Sequence, residues 1–233
     1  MKKIWVYLNL FVWTFFYGLR SMFSILFSKK KSNFKYYGIQ WGMMLQKTLG
    51  VKLEVLGQEN LDINKDYIFT PNHASLIDIP LLFIAVNKYL VFVAKKELDR
   101  IPIFRKIIRV AGFVLVDRRN NKDAVNSLKD LKADLRKHPR SVAIFPEGTR
   151  SKDGKLQEFK KGAAIFGIET GMPIIPIAII GSYRWWNRGL FTKNPNIITI
   201  VFGNPINTTN SSYEDRDKIT MGIKDQIIKL RNG

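Results

Sequence analysis

The sequence predicts an α/β fold: a single domain with a mostly parallel central sheet flanked by helices, preceded by an N-terminal membrane-associated two-helix segment. Three observations predict it. Beyond residue 50, short β-branched runs alternate with helical patterns, the order that builds parallel sheets. At 233 residues the chain is long enough for one well-buried α/β domain. Residues 1–53 contain no carboxylate, carry nine Lys and Arg and hold 13 of the 29 aromatic residues, a change of character that sets them apart.

The elements follow in order. Ile4–Leu19 is an unbroken apolar run of about sixteen residues, short of the roughly twenty needed to span a bilayer. Arg20 and two serines, Ser21 and Ser24, interrupt the apolar character that Met22–Phe27 resumes, and Lys29–Lys31 close it. No small-residue cleavage site follows, so the segment is expected to be retained. A second, aromatic-faced stretch runs from Phe34 to Leu49. Lysines flank both sides of the first stretch and give no clear orientation for a span, so the pair is expected to lie in one leaflet at the cytoplasmic face; a single true span is the alternative. Residues 1–50 are therefore read as a membrane-associated helical segment and 51–233 as the α/β domain.

In that domain, strands are expected at Lys52–Leu56, Tyr67–Thr70, Leu90–Ala94, Phe113–Asp117, Ser141–Phe145, Ile174–Ile180 and Ile197–Phe202. Several are continuously apolar, as befits a sheet covered on both faces. Helices are expected at Ile79–Asn87, Pro102–Val110, Asp123–Lys137, Lys161–Thr170 and Arg216–Leu230, the third with Val125, Leu128, Leu131 and Leu135 on one face.

Composition excludes several chemistries. No cysteine means no disulfide framework, thiol nucleophile or Cys-ligated zinc, and two distant histidines without an H-E-x-x-H pattern argue against a histidine metal site. The formal charge of +19 points to an anionic partner, nucleic acid or membrane lipid. Basic residues interleaved with aromatic ones in residues 1–53 favour the membrane interface.

Candidate chemistry sits in loops that follow strands. Pro71-Asn72-His73-Ala74-Ser75-Leu76-Ile77-Asp78 leads from a strand into a helix. His73 has the pKa range of a general base, and Asp78, five residues on, could fold back to orient it. The alternative is structural: Ser75-x-x-Asp78 is also a capping box. A second loop, Phe145-Pro146-Glu147-Gly148-Thr149-Arg150-Ser151, offers a carboxylate, a glycine for close backbone approach and a planar guanidinium suited to phosphate. Gly112 through Arg118 delivers another arginine at a strand end, and two such arginines would clamp a phosphate, surface salt bridges being the alternative. Lys95 at a strand end is a further phosphate candidate or a solvated lysine, and Lys160 and Lys161 head the helix after the arginine loop, where Gly162 suggests tight packing. Met172 through Ile177 reads as a pocket wall, and Trp185 and Trp186 as core or interfacial residues.

These four blocks, Asn72 through Asp78, Gly112 through Arg118, Phe145 through Ser151 and Met172 through Ile177, stand in the order found in the glycerolipid acyltransferase family, which the chain resembles over roughly residues 50–205. The likeness is greatest to its bacterial 1-acylglycerol-3-phosphate acyltransferases. The resemblance implies that His73 is the general base and Asp78 its orienting carboxylate. It implies further that Arg118, Glu147, Gly148, Thr149 and Arg150 bind the acceptor, with Lys95 as a neighbour and Pro176 in the block tied to pocket architecture. It implies transfer of an acyl group from acyl-CoA or acyl-carrier protein to lysophosphatidate, with the thioester as co-substrate and no cofactor or metal. Glycerol 3-phosphate or another lysophospholipid is the alternative acceptor. A membrane-bound binder of nucleic acid or another anionic polymer is the reading outside the enzyme class, and no nucleic-acid-binding signature supports it.

Overall fold

A computed structural model describes residues 2–30, 32–117, 121–187, 190–191 and 197–232. In chain order the helices and strands are α1 (Lys2–Ser28), α2 (Asn33–Leu49), β1 (Lys52–Leu56), β2 (Ile68–Pro71), α3 (Asp78–Val86), β3 (Leu90–Lys95), α4 (Pro102–Val110), β4 (Val114–Val116), α5 (Asn121–Lys137), β5 (Ser141–Ala143), α6 (Gly162–Thr170), β6 (Ile174–Ile180), α7 (Ser182–Trp185), β7 (Trp186–Asn187), β8 (Leu190–Phe191), β9 (Ile197–Phe202) and α8 (Arg216–Asn232). The chain divides into two compact units, residues 1–51 with 79–140, and residues 52–78 with 141–233.

In the first unit α1 and α2 form an antiparallel hairpin, tied by Trp41 Nε1–H to Thr14 Oγ1 at 3.1 Å and Asn33 Nδ2–H to Ser24 Oγ at 2.9 Å. The apparent break at Arg20 and Ser21 does not interrupt α1. Ser21 returns its hydroxyl to the Gly18 carbonyl at 2.8 Å, and the Arg20 guanidinium lies over the Phe16 and Tyr37 rings at 5.5 and 6.0 Å. Two close approaches place this hairpin. Gly18 of α1 abuts Ile107 of α4, and Gly42 of α2 sits against the carbonyl of Pro80 and the side chain of Ile84 in α3. Phe34 then packs edge-on against Phe83 and Phe113, at 5.6 and 5.4 Å between centroids. The N-terminal helices thus share one packed unit with residues 79–140, in which β3 and β4 pair in parallel.

The second unit holds the strand order β1-β9-β6-β2-β5. β1–β9, β6–β2 and β2–β5 are parallel, and β6–β9 is the antiparallel exception. All four residues of β2 and six of the seven of β6 are buried, which accounts for their largely apolar composition; the exception, Thr70, returns its hydroxyl to the Ile175 carbonyl at 3.3 Å. Helix α8 covers β6 through Ile219, Ile223 and Ile227, a stripe with four-residue spacing. Strand β5 stops at Ala143, two residues before its expected end, and leaves Phe145 to the loop described below. The β7–β8 ribbon was not foreseen; at two residues each, its strands are too short for a readable alternation.

Gly162 has no atom within 4 Å of where a Cβ would stand, so the tight packing expected there is not found. The pair Gly42 and Gly162 yields a stability prediction. Gly42→Ala drives a methyl into backbone and is expected to cost about 1–3 kcal/mol. Gly162→Ala adds a methyl in open space at a helix start and is expected to leave stability equal or slightly raised. Thermal unfolding in detergent, with the two variants beside the parent, measures both.

Candidate active site

The site is built in the second unit, where β2 ends and the chain turns through Asn72–Ile77 into α3. Asn72 fastens this turn to β6. Its Nδ2–H donates to Ile179 O at 3.1 Å, its Oδ1 accepts the Ile179 N–H at 2.7 Å, and its own N–H donates to Ile177 O at 3.3 Å. The side-chain amide thereby stands in for one more rung of the β2–β6 ladder. The residue that follows, His73, is held at the carboxyl end of a buried parallel strand.

Asp78, the first residue of α3, is wholly buried. Its Oδ2 accepts from His73 Nδ1 at 2.8 Å and from the backbone N–H groups of Ala74 and Ser75, each at 2.8 Å. An ionised carboxylate only accepts, so Nδ1 carries the hydrogen and Nε2 is left with its lone pair outward from the pair. Of the capping box read in Ser75-x-x-Asp78 only the carboxylate half forms, the Ser75 N–H donating to Asp78 Oδ2, while Ser75 Oγ accepts from the Ile77 N–H at 3.5 Å; the same Oδ2 is the oxygen that meets His73. The His73 ring stacks on Phe145, 4.0 Å between centroids and 24° between planes, which fixes its plane as Asp78 fixes its tautomer. The His73 side chain retains 12% exposure, against none for Asp78.

The Phe145–Arg150 loop braces the His73 loop from the other side. Glu147 is buried, and both its oxygens are engaged by backbone: Oε1 by the His73 N–H at 2.7 Å, Oε2 by the Gln157 N–H at 2.8 Å. The Ser151 N–H returns a bond to the His73 carbonyl at 2.8 Å. Glu147 therefore holds the His73 loop, its carboxylate turned inward to backbone amides rather than presented to a ligand as the resemblance implied. Burial pushes its carboxyl above the ordinary glutamate range, and the His73 and Gln157 amides oppose the rise. Because the folded value is raised, this group's contribution to stability is full below the unfolded value and is lost as pH rises through the folded one. Gly148 turns the loop with φ +67°, and a Cβ there would meet the Lys160 chain at 3.2 Å.

Of the other expected site residues, Thr149 and Arg150 are exposed beside this turn. Lys161 pairs with Asp217 at 2.6 Å. Lys95 lies in the first unit, where its Nζ pairs with Glu97 at 2.8 Å. Arg118 falls outside the described residues, as do the side chains of Trp185 and Trp186. Among the described residues no cluster of three or more His, Asp or Glu is placed to hold a metal.

A cleft of about 530 Å³ opens beside the histidine, with Asn72 and Ala74 in its wall together with Ile179, Ser182 and Arg231. Arg231 donates to the Gly154 carbonyl at 2.9 Å. Sequence reasoning missed the clamp by Asn72, the Ser151 amide and the part played by Ser182 and Arg231. Asn72 stood in the first block and could have been singled out. Backbone donors leave no side-chain signal, and Ser182 and Arg231 belong to no motif.

A family model described as Acyltransferase matches residues 52–180. The chain belongs to the acyltransferase family. A relative from Cocos nucifera named 1-acyl-sn-glycerol-3-phosphate acyltransferase is 37% identical over 178 residues, 76% of this chain, and the match spans 57% of the relative's length. A relative of the same name from Borreliella burgdorferi is 31% identical over 182 residues, covering 77% of this chain and 72% of the relative. The crystal structure of the 1-acyl-sn-glycerophosphate (LPA) acyltransferase, PlsC, from Thermotoga maritima superposes with a TM-score of 0.78 at 29% identity, over 98% of this chain and 94% of that one. The α/β fold with its mostly parallel sheet is thus the fold of an acyltransferase.

Glu147→Gln tests the brace. A carboxamide has one acceptor oxygen for two backbone donors, so one N–H faces an NH₂ group, at a cost of about 1–3 kcal/mol. A fall in melting temperature together with reduced acyl-transfer turnover is the expected outcome.

Proposed function

We propose that this acyltransferase acylates the free hydroxyl of lysophosphatidate to form phosphatidate, with an acyl-CoA or acyl-carrier-protein thioester as donor. The bond between His73 Nδ1 and the buried Asp78 carboxylate carries the reading, because it makes Nδ1 the donor and so orients Nε2 of the neutral ring to act as the base. Nε2 takes the hydroxyl proton as the alkoxide oxygen attacks the thioester carbonyl. The tetrahedral oxyanion collapses, the carbon–sulfur bond breaks, and the imidazolium returns its proton to the leaving thiolate. Ester and free thiol are the products, and His73 ends neutral as it began. Asp78 stabilises the imidazolium between the two proton transfers at no cost in reorganisation, since the backbone amides of Ala74 and Ser75 already hold it.

The acceptor's phosphate is assigned to the exposed Arg150, with Arg118 and Lys95 as the further cations that the family resemblance supplies. The names of the relatives, each a 1-acyl-sn-glycerol-3-phosphate acyltransferase, support this acceptor. The hairpin supports placement at a membrane, and the lysines on both sides of the first apolar stretch are the reason for assigning the cytoplasmic face. Helix α1 exposes Ile4, Leu8, Phe11, Phe16, Phe23 and Phe27 along one stripe, and its Ile4–Ser28 portion is long and apolar enough to cross. Its midpoint, however, packs through Gly18 on α4, a helix bearing Arg105, Lys106 and Arg109, which favours the helix lying along one leaflet over spanning it.

Transfer of a labelled acyl group to lysophosphatidate in micelles tests the reading. His73→Ala is expected to lower kcat by three orders of magnitude or more with lysophosphatidate binding retained; turnover intact at saturation would remove the base. Arg150→Ala is expected to raise the KM for lysophosphatidate about tenfold or more and to leave that for an acceptor without a phosphomonoester unchanged. Acylation of lysophosphatidylcholine in preference to lysophosphatidate would overturn the assignment of the acceptor.

A further inference from the structure

The cleft beside His73 holds a polar group that the fold leaves unpaired. Ser182 is 1% exposed, it lines the cleft, and its Oγ has no hydrogen-bond partner among the described residues. Buried hydroxyls are nearly always bonded, so one in a cleft wall with no protein partner is available to whatever fills the cleft. The rest of the lining has two characters. Ile179, Ile180 and Ile197 make an apolar strip that starts beside Asn72, while Lys155, Arg184 and Arg231 bring three cations. The one carboxylate of the lining, Asp153, is committed to the Ser151 hydroxyl at 3.1 Å and the Lys155 N–H at 3.0 Å. Neither Ser182 nor Arg231 falls within residues 52–180, the segment that the family model matches.

A ligand for this cleft lies beside Asn72 and Ala74 of the His73 loop and meets a buried hydroxyl, apolar side chains and three cations, so it combines hydrogen-bonding groups with negative charge. An acyl chain has no use for the hydroxyl or the cations. We infer that the cleft receives the phosphopantetheine arm of the thioester donor, its amides meeting Ser182 Oγ and its phosphate meeting Arg231. The thioester end would then lie by Asn72 and Ala74, on either side of the base. This arm is common to coenzyme A and acyl-carrier protein, so one cleft serves either source. The inference rests on the acyl-transfer reading above, and Ser182 and Arg231 become donor-binding residues distinct from the acceptor's arginines.

The test combines binding and kinetics on the full chain in detergent. Coenzyme A and pantetheine 4′-phosphate are titrated calorimetrically, and donor and acceptor KM values are measured for Ser182→Ala and Arg231→Gln, with acyl-CoA and acyl-carrier protein as alternative donors. Ser182→Ala is expected to weaken both ligands and raise the donor KM about three- to tenfold, to leave the acceptor KM unchanged, and to melt at or above the parent temperature, because it removes an unsatisfied buried group. Arg231→Gln is expected to raise the donor KM tenfold or more. Weakening for pantetheine 4′-phosphate and both donors upholds the arm, and weakening for coenzyme A alone places the contact on the nucleotide and overturns it. Transfer to lysophosphatidate with the donor KM unmoved in Ser182→Ala sinks this inference and leaves the proposed function standing. Weakened binding of both ligands with no acylation of lysophosphatidate does the reverse.

Discussion

Asp78 Oδ2 accepts from an imidazole and two backbone amides at once, and the rest of the site depends on that shared oxygen. Burying a carboxylate is costly unless it is hydrogen-bonded, and three donors on Oδ2 offset part of that cost, while Oδ1 is buried with no hydrogen-bond partner among the described residues. The two amide bonds close the turn that leads into α3, so the orientation of His73 and the entry to the helix are held by the same side chain.

A second buried carboxylate, Glu147, repeats the device between loops. Its two oxygens bridge the amides of His73 and Gln157, residues 84 positions apart, and so turn two strand-following loops into one rigid support. Asn72 adds a third tie, to β6. His73 therefore hangs from side chain–backbone bonds on buried anchors, with Phe145 as its floor. Such bonds fix a side chain in place before any ligand arrives, the condition that orientation and preorganised charge require.

The first unit carries the apolar surface of the chain's N-terminal helices. Gly18 and Gly42 let two aromatic-rich helices press close to α4 and α3, so apolar surface on one side of the hairpin is buried and the stripe from Ile4 to Phe27 is left bare. Small residues at the contacts and large ones on the free face are what a segment partly in lipid requires. The lysine-rich turn after α1 and the absence of carboxylates through residue 53 complete an interface suited to an anionic leaflet.

Most of the strands and helices were legible in the sequence because burial on both faces imposes largely apolar runs on β2 and β6, and a single covered face imposes four-residue spacing on α8. His73 and Asp78 were legible because their spacing across a strand-to-helix turn is local, and local geometry is written in adjacent residues. Glu147 was legible as a motif member, yet its inward role as a brace was not, since its partners are backbone amides that every residue possesses. The antiparallel β6–β9 pairing, the continuity of α1 through Arg20 and the open space at Gly162 were likewise decided only by long-range packing. Sequence alone determined the chemistry on offer, a base, its carboxylate and an arginine loop. Tertiary structure decided which groups meet, because contacts between residues tens of positions apart are set by the packing of strands and helices and leave no periodic trace in the chain.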